Sequence, residues 1–238
     1  MFLHRFHSFA LKLGWLAWPI LGYNQWPKLR FKERRGVTRE EHQLLVSAEK
    51  NDERRATEFS RSGSGSVTLL PRVLPYPAWL RQCWQELQFH AILSGDETFR
   101  GAKLLNDSQE EMLWERTLRG MGAERRALFL DDTVQACLRS ASLVDQYNIS
   151  LSDEAWRIDE ESAVFDSWHS KLREECRSRR LVRTSRLPVF LAKRMEQLAS
   201  LHGVRLILAG FDEPMPAQLN LLLSAAKVSR DALLLDSR

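Results

Sequence analysis

The sequence predicts an α/β fold in which a parallel sheet is interrupted by a large all-helical insertion. Three observations carry that prediction. VRLILAG at Val204–Gly210 is a continuous apolar run of strand length closed by a glycine, the pattern of a strand buried on both faces. The long stretch before it repeats its apolar residues every three to four positions, as helices do. Earlier still, VTLLPRVLP is β-branched, apolar and punctuated by prolines, which suits a short strand ending in an extended turn. At 238 residues the chain is long enough for one large domain carrying an insertion. With 44% hydrophobic and 28% charged residues it falls outside the disordered and collagenous classes.

In chain order, residues 37–46 end in LLV and predict a first buried strand near 43–46, followed by the polar, helix-prone SAEKNDERRATEFSR and the flexible connector SGSGS at Ser62–Ser66. The second strand is predicted at 67–73. From Pro77, which suits a first helical turn, Trp79, Leu80, Cys83, Trp84, Leu87 and Ala91 form one helical face. A second helix is predicted to start near Asp107 or Ser108, with Glu110 and Glu111 in its first turn, Trp114, Leu118 and Met121 on one side, and Gly120 and Gly122 at its end. Further helices are predicted over Ala127–Leu143, Ile158–Arg177 and Leu187–Leu201, the last closed by His202 and Gly203. After the strand at 204–210, Pro214 and Pro216 set a turn, Ala217–Ala226 predicts a short helix, and ALLLD a last strand near 232–236. The expected organisation is an extension at 1–36 and a domain at 37–238, with sheet parts at 37–75 and 203–238 and the insertion at 76–202. No repeat of fixed period argues for a helical solenoid.

Formal charge is only +4, but it is uneven. Lys28, Arg30, Lys32, Arg34 and Arg35 cluster early, and Arg177, Arg179, Arg180, Arg183 and Arg186 cluster late. Such runs either face phosphates or are solvated faces. Cys83, Cys137 and Cys176 form no CxxC pair and fall on apolar helix faces, so they read as buried free thiols of a reducing cytoplasm. FALKLGWLAWPILGYNQW near the start is interrupted by Lys12 and Pro19 before it reaches membrane-spanning length, and no small-residue cleavage site follows it. Its aromatics Trp15, Trp18, Tyr23 and Trp26 either cover another surface or belong to an extension. No membrane span is expected.

In a doubly wound sheet the functional crevice lies beyond the carboxyl ends of the strands, where Asp212 and Glu213 fall. That position suits either a carboxylate pair holding Mg²⁺ or orienting water, or a cap on the next helix. A nucleotidase would also need a GxxxxGK[ST] loop, and the chain has none. A GxSxG elbow and an HExxH pattern are absent too, and His169, beside Trp168, reads as structural. Trp79 and Trp84 offer rings for base stacking, but their spacing places them in a helix core.

Four blocks in order resemble the N-terminal region of AddB-like DNA repair proteins, bacterial chains that join a degenerate helicase-like part to a RecB-type PD-(D/E)XK nuclease domain. They are TLLPRVLPYPAWLRQCWQEL, DSQEEMLWERTL, VFDSWHSKLREECRSRRLVRTSRLPVFLA and LILAGFDEPMPAQLNLLL, together spanning about residues 44–226. The resemblance implies a degenerate P-loop-helicase-like sheet in a cytoplasmic protein that processes broken DNA. Gly210, Phe211, Asp212, Glu213 and Gln218 would then occupy the Walker B region. Without a phosphate loop the chain is expected not to hydrolyse ATP and to need no cofactor. Its partners would be DNA, contacted through Arg177, Arg179, Arg180, Arg183 and Arg186, and a nuclease domain or subunit absent from this chain. The rival expectations are a cryptic Mg²⁺-dependent nucleotidase using Asp212 and Glu213, and a structural module that docks on a partner.

Overall fold

The structure is a computed structural model and describes residues 43–48, 72–96, 99–123, 129–151, 159–211 and 213–235. The first half holds β1 (Gln43–Ser47), β2 (Arg72–Pro75), α1 (Tyr76–Ser94), β3 (Lys103–Leu104), α2 (Asp107–Gly120) and α3 (Leu130–Gln146). The second holds α4 (Glu160–Ser178), β4 (Leu181–Val182), α5 (Leu187–Ala192), β5 (Arg205–Ala209), α6 (Pro216–Val228) and β6 (Asp231–Leu235). The described residues fall into two compact units, one within Glu97–Leu187 and the other within Pro27–Asp96 and Pro188–Arg238.

The second of these units is α/β. Its four strands pair in the order β2-β1-β5-β6, all parallel, with Leu45 opposite both Val73 and Ile207. Leu44 through Ser47 and Leu206 through Ala209 are buried without alternation, because a parallel sheet is covered on both faces. β2 is less buried and ends in Pro75, which an edge strand tolerates. The strand expected at 67–73 is described only from Arg72, and 67–71 lie outside the described residues. α1 buries all six residues of the predicted face, Trp79 and Trp84 among them, and packs with β1 and β2. Both tryptophans are therefore core residues, each removing apolar surface on the order of 150–250 Å² from water.

The helix expected over Leu187–Leu201 is corrected. Helical structure stops at Ala192, and two 3₁₀ turns, Met195–Gln197 and Ala199–Leu201, follow. Leu187, Leu191, Met195, Leu198 and Leu201 are all buried, but from Met195 onward they recur every third residue, the period of a 3₁₀ turn. Glu86 on α1 fixes the last turn by accepting from the amide of Ser200 at 2.8 Å and from its hydroxyl.

The other unit is built on α2, α3 and α4. Trp114, Leu118, Val134, Cys137, Ala141, Phe165, Trp168 and Leu172 form its core. Here too an expectation is corrected, since this region is not all helix: β3 and β4 form a two-residue parallel ladder, with Lys103 donating to the Arg180 carbonyl and Leu105 to that of Val182, both at 2.9 Å. Two residues are too few to show a period of two. The α2 cap is Asn106, whose Oδ1 accepts from the Gln109 amide at 2.9 Å while Gln109 Oε1 accepts from the Asn106 amide at 3.1 Å. Asn106→Ala is expected to cost about 1 kcal/mol, measured as a lower denaturant midpoint, because a reciprocal capping box satisfies two free amides at once. α4 starts the same way, from Asp159 and Ser162. Cys83 and Cys137 are buried free thiols as predicted, and Cys176 is half-buried.

Candidate functional site

The chain runs from β1 outward to β2 and later to β5 and β6 on the other side, so the order reverses between β1 and β5. The crevice of such a sheet opens beyond the carboxyl ends of those two strands. There the Ala48 amide donates to the Ala209 carbonyl at 3.0 Å. Gly210 follows at φ 74°, a left-handed conformation that a side chain would strain. Phe211 turns inward and meets the Tyr76 ring edge-on at 5.6 Å.

Asp212 lies outside the described residues. Glu213 is exposed and stands two residues ahead of the α6 N-cap, Met215. Within the helix start, Gln218 Oε1 accepts from the Met215 amide at 3.3 Å. Pro214 and Pro216 hold the approach extended and carry Glu213 away from the free amides of the first turn. Gln218, placed in the Walker B region by resemblance, thus has a helix-capping role. Among the described residues no group of three His, Cys, Asp or Glu is placed to hold a metal ion.

The late arginine cluster divides into four environments. Arg183 is corrected from surface to core, with a side chain only 2% exposed. Its Nη2 pairs with Asp145, whose Oδ2 also accepts from Ser185 at 2.7 Å, and its Nε lies 3.5 Å from Glu110. Its pKa falls to about 10, because burial penalises the guanidinium more than Glu110 favours it. Glu110, in the first turn of α2 as predicted, is buried, and desolvation raises its pKa against the pull of Arg183. Arg179 is exposed but paired to Glu175 at 3.4 Å. Arg180 stands at φ 54° where the chain leaves α4 for β4, and its Nη1 donates to the Arg100 carbonyl at 2.9 Å.

Arg177 and Arg186 differ. Arg177 is exposed, and its guanidinium has no hydrogen bond or ion pair among the described residues. Arg186 is 43% exposed, with Nε held 3.7 Å from Asp145 Oδ1. The sequence reading missed Arg173. It lies one helical turn before Arg177, exposed, and likewise without a partner for its guanidinium among the described residues. The signal was there in the Arg173-to-Arg177 spacing. Two acidic residues of α4 are paired with other groups: Glu175 binds Arg116, Arg179 and the Thr117 hydroxyl, and Glu174 binds Lys171 at 2.8 Å. Arg116, Thr117, Lys171, Glu174 and Glu175 line a groove of about 450 Å³ between α2 and α4 in which the charges are already matched.

One turn before Arg173, His169 is buried in a column of near-parallel rings, 5.6 Å from Phe165 and 6.4 Å from Trp114. Among the described residues its Nε2 has no hydrogen-bond partner. Burial, then the charges of Arg173 and Arg186, lower its pKa to about 4, so the ring is neutral at physiological pH. This agrees with the structural role read from the sequence.

No protein-family model matches the chain, and no curated protein is significantly similar to it. Among the described residues no helix is long and apolar enough to cross a membrane, and the aromatic segment near the start lies outside them.

Proposed function

We propose that this chain is a non-catalytic, helicase-like portion of a DNA repair protein that binds DNA and supports a nuclease supplied by another domain or subunit. The observation that carries the reading is the arginine surface of α4 and the turn after it. There Arg177 is exposed, Glu174 and Glu175 on the same helix are paired with Lys171 and Arg116, and Arg186 is 43% exposed with only its Nε held by Asp145. A guanidinium fork without a carboxylate suits a phosphate oxygen pair. The parallel sheet with its reversal between β1 and β5 is compatible with a degenerate helicase-like core. The AddB-like blocks supply the connection to DNA repair. Gln218, as a helix cap, fits a relic of a Walker B region better than a working one.

Labelled single- and double-stranded DNA titrated with the protein should show binding that weakens with salt. The logarithmic slope should be roughly −0.7 to −0.9 per phosphate contacted. Absence of binding to either form at low salt would falsify the reading.

A further inference from the structure

The exposed face of α4 holds more positive charge than the fold uses. Arg173 and Arg177 stand one turn apart, both exposed and neither in a hydrogen bond or ion pair among the described residues, with Asp166 attracting the first and Glu174 the second at longer range. Arg186 arrives from the 3₁₀ turn Thr184–Arg186 after β4. Its charge acts on His169, Arg173 and Cys176, which are successive members of one α4 face. β4 packs on α4, and the turn that carries Arg186 follows β4 directly, which brings the three guanidinium groups to one side of the unit. Arg173 feels the crowding: burial first, then Arg186 and Arg177, lower its pKa.

Arg186 is also held in place. Asp145 binds the buried Arg183 and the Ser185 hydroxyl through Oδ2, which leaves Oδ1 to tether Arg186 at its Nε. The terminal nitrogens of Arg186 have no hydrogen-bond partner among the described residues. The counter-charges are few. Asp166 acts on Arg173 from two turns away, Glu174 is attracted by Arg177 but paired with Lys171, and Glu110 and Asp145 are both engaged with Arg183. His169 beneath the patch is neutral and adds no charge of its own. Like charges brought together on rigid elements repel one another, and a bound anion with several acceptor oxygens removes that cost.

We infer that Arg173, Arg177 and Arg186 form one phosphate-binding site, with Asp145 as the positioning residue that orients Arg186. The inference deepens the DNA-binding reading and rests on it only for the source of the phosphate, which is either a nucleic-acid backbone or a free phosphate.

The test compares the full chain with Arg173→Ala/Arg177→Ala and with a control, Lys227→Ala, which loses an exposed charge on α6. Two probes are used: a labelled oligothymidylate followed by anisotropy, and inorganic phosphate followed by its shift of the melting temperature. The double variant should bind oligothymidylate about tenfold more weakly or worse, with a salt slope shallower by about one to two phosphates. The control should match the wild type. Arg173→Lys should recover only part of the affinity, because a lysine keeps the charge and loses the fork. Competition by millimolar phosphate would assign the site to phosphate groups in general, and its failure to compete would assign it to the polynucleotide backbone. If wild type and double variant bind DNA equally, the site is wrong and the DNA-binding reading stands. A phosphate-induced stabilisation lost in the double variant, with no DNA binding by any form, would leave the site and remove the DNA reading. No response to either probe overturns both.

Discussion

Asp145→Ala is expected to lower the stability of the helical unit by about 3–5 kcal/mol, the usual consequence of removing one partner of a buried ion pair. The size follows from what is left behind. Arg183 is 2% exposed and sits among α2, α3 and its own turn, with Nη2 on Asp145 and on the Ala141 carbonyl at 3.3 Å. Without Asp145 its charge is opposed among the described residues by Glu110, 3.5 Å from Nε and already reluctant to ionise. Ser185 loses its acceptor and Arg186 its tether in the same step. Arg183→Met is expected to cost distinctly less, because the buried cation goes and Asp145 keeps Ser185 and Arg186. Amide hydrogen exchange of α3 and α4 in denaturant separates this unit from the sheet unit. Equal losses in the two variants would mean that packing, not the unpaired charge, sets the cost.

The same residues show where the sequence was readable. Apolar periodicity found α1 and its six buried residues, the buried strands β1 and β5, and the helices around Trp114, Cys137 and Phe165, because burial imposes a period that composition records. It failed where contacts rather than periods decide. The Arg183 and Glu110 pair joins α2 to the turn after β4, and nothing in either segment marks one arginine among five, or one glutamate beside Glu111, as the buried one. The β3 and β4 ladder is too short to leave a pattern. The 3₁₀ turns after Ala192 carry a residue spacing that passes for helical until the step of three is seen to persist. At the carboxyl end of β5 the sequence located the turn and its glycine correctly, but that Gln218 reaches back to the Met215 amide is a contact no period records. Arg173 was legible and overlooked, since its significance depends on Glu174 and Glu175 being paired with other cations.

Acidification is expected to destabilise the helical unit through His169, by up to about 3 kcal/mol between pH 6.5 and pH 4. The folded ring keeps a pKa near 4, lowered by burial and then by Arg173 and Arg186, whereas the unfolded chain protonates it around the ordinary value of 6.5. Because the folded pKa is depressed, the contribution is complete above pH 6.5. It erodes as pH falls through this window, where the unfolded state alone takes up the proton, and levels off once the folded ring also protonates. Glu110 acts in the opposite sense: its raised pKa gives a contribution that is complete below the ordinary carboxylate value of 4.5 and lost as pH rises through the folded one. The two are separated by substitution. His169→Phe keeps an aromatic ring between Phe165 and Trp114 and removes the titration, so stability measured from pH 7 to pH 4 should lose most of its slope. A slope unchanged in His169→Phe would show that the acid sensitivity belongs to the carboxylates. A phosphate bound at Arg173 and Arg186 would offset the two charges that lower the His169 pKa beyond burial. The ring should then titrate at higher pH in the bound protein than in the free one, followed by NMR of the imidazole. No such rise on binding would mean that the anion sits elsewhere on α4.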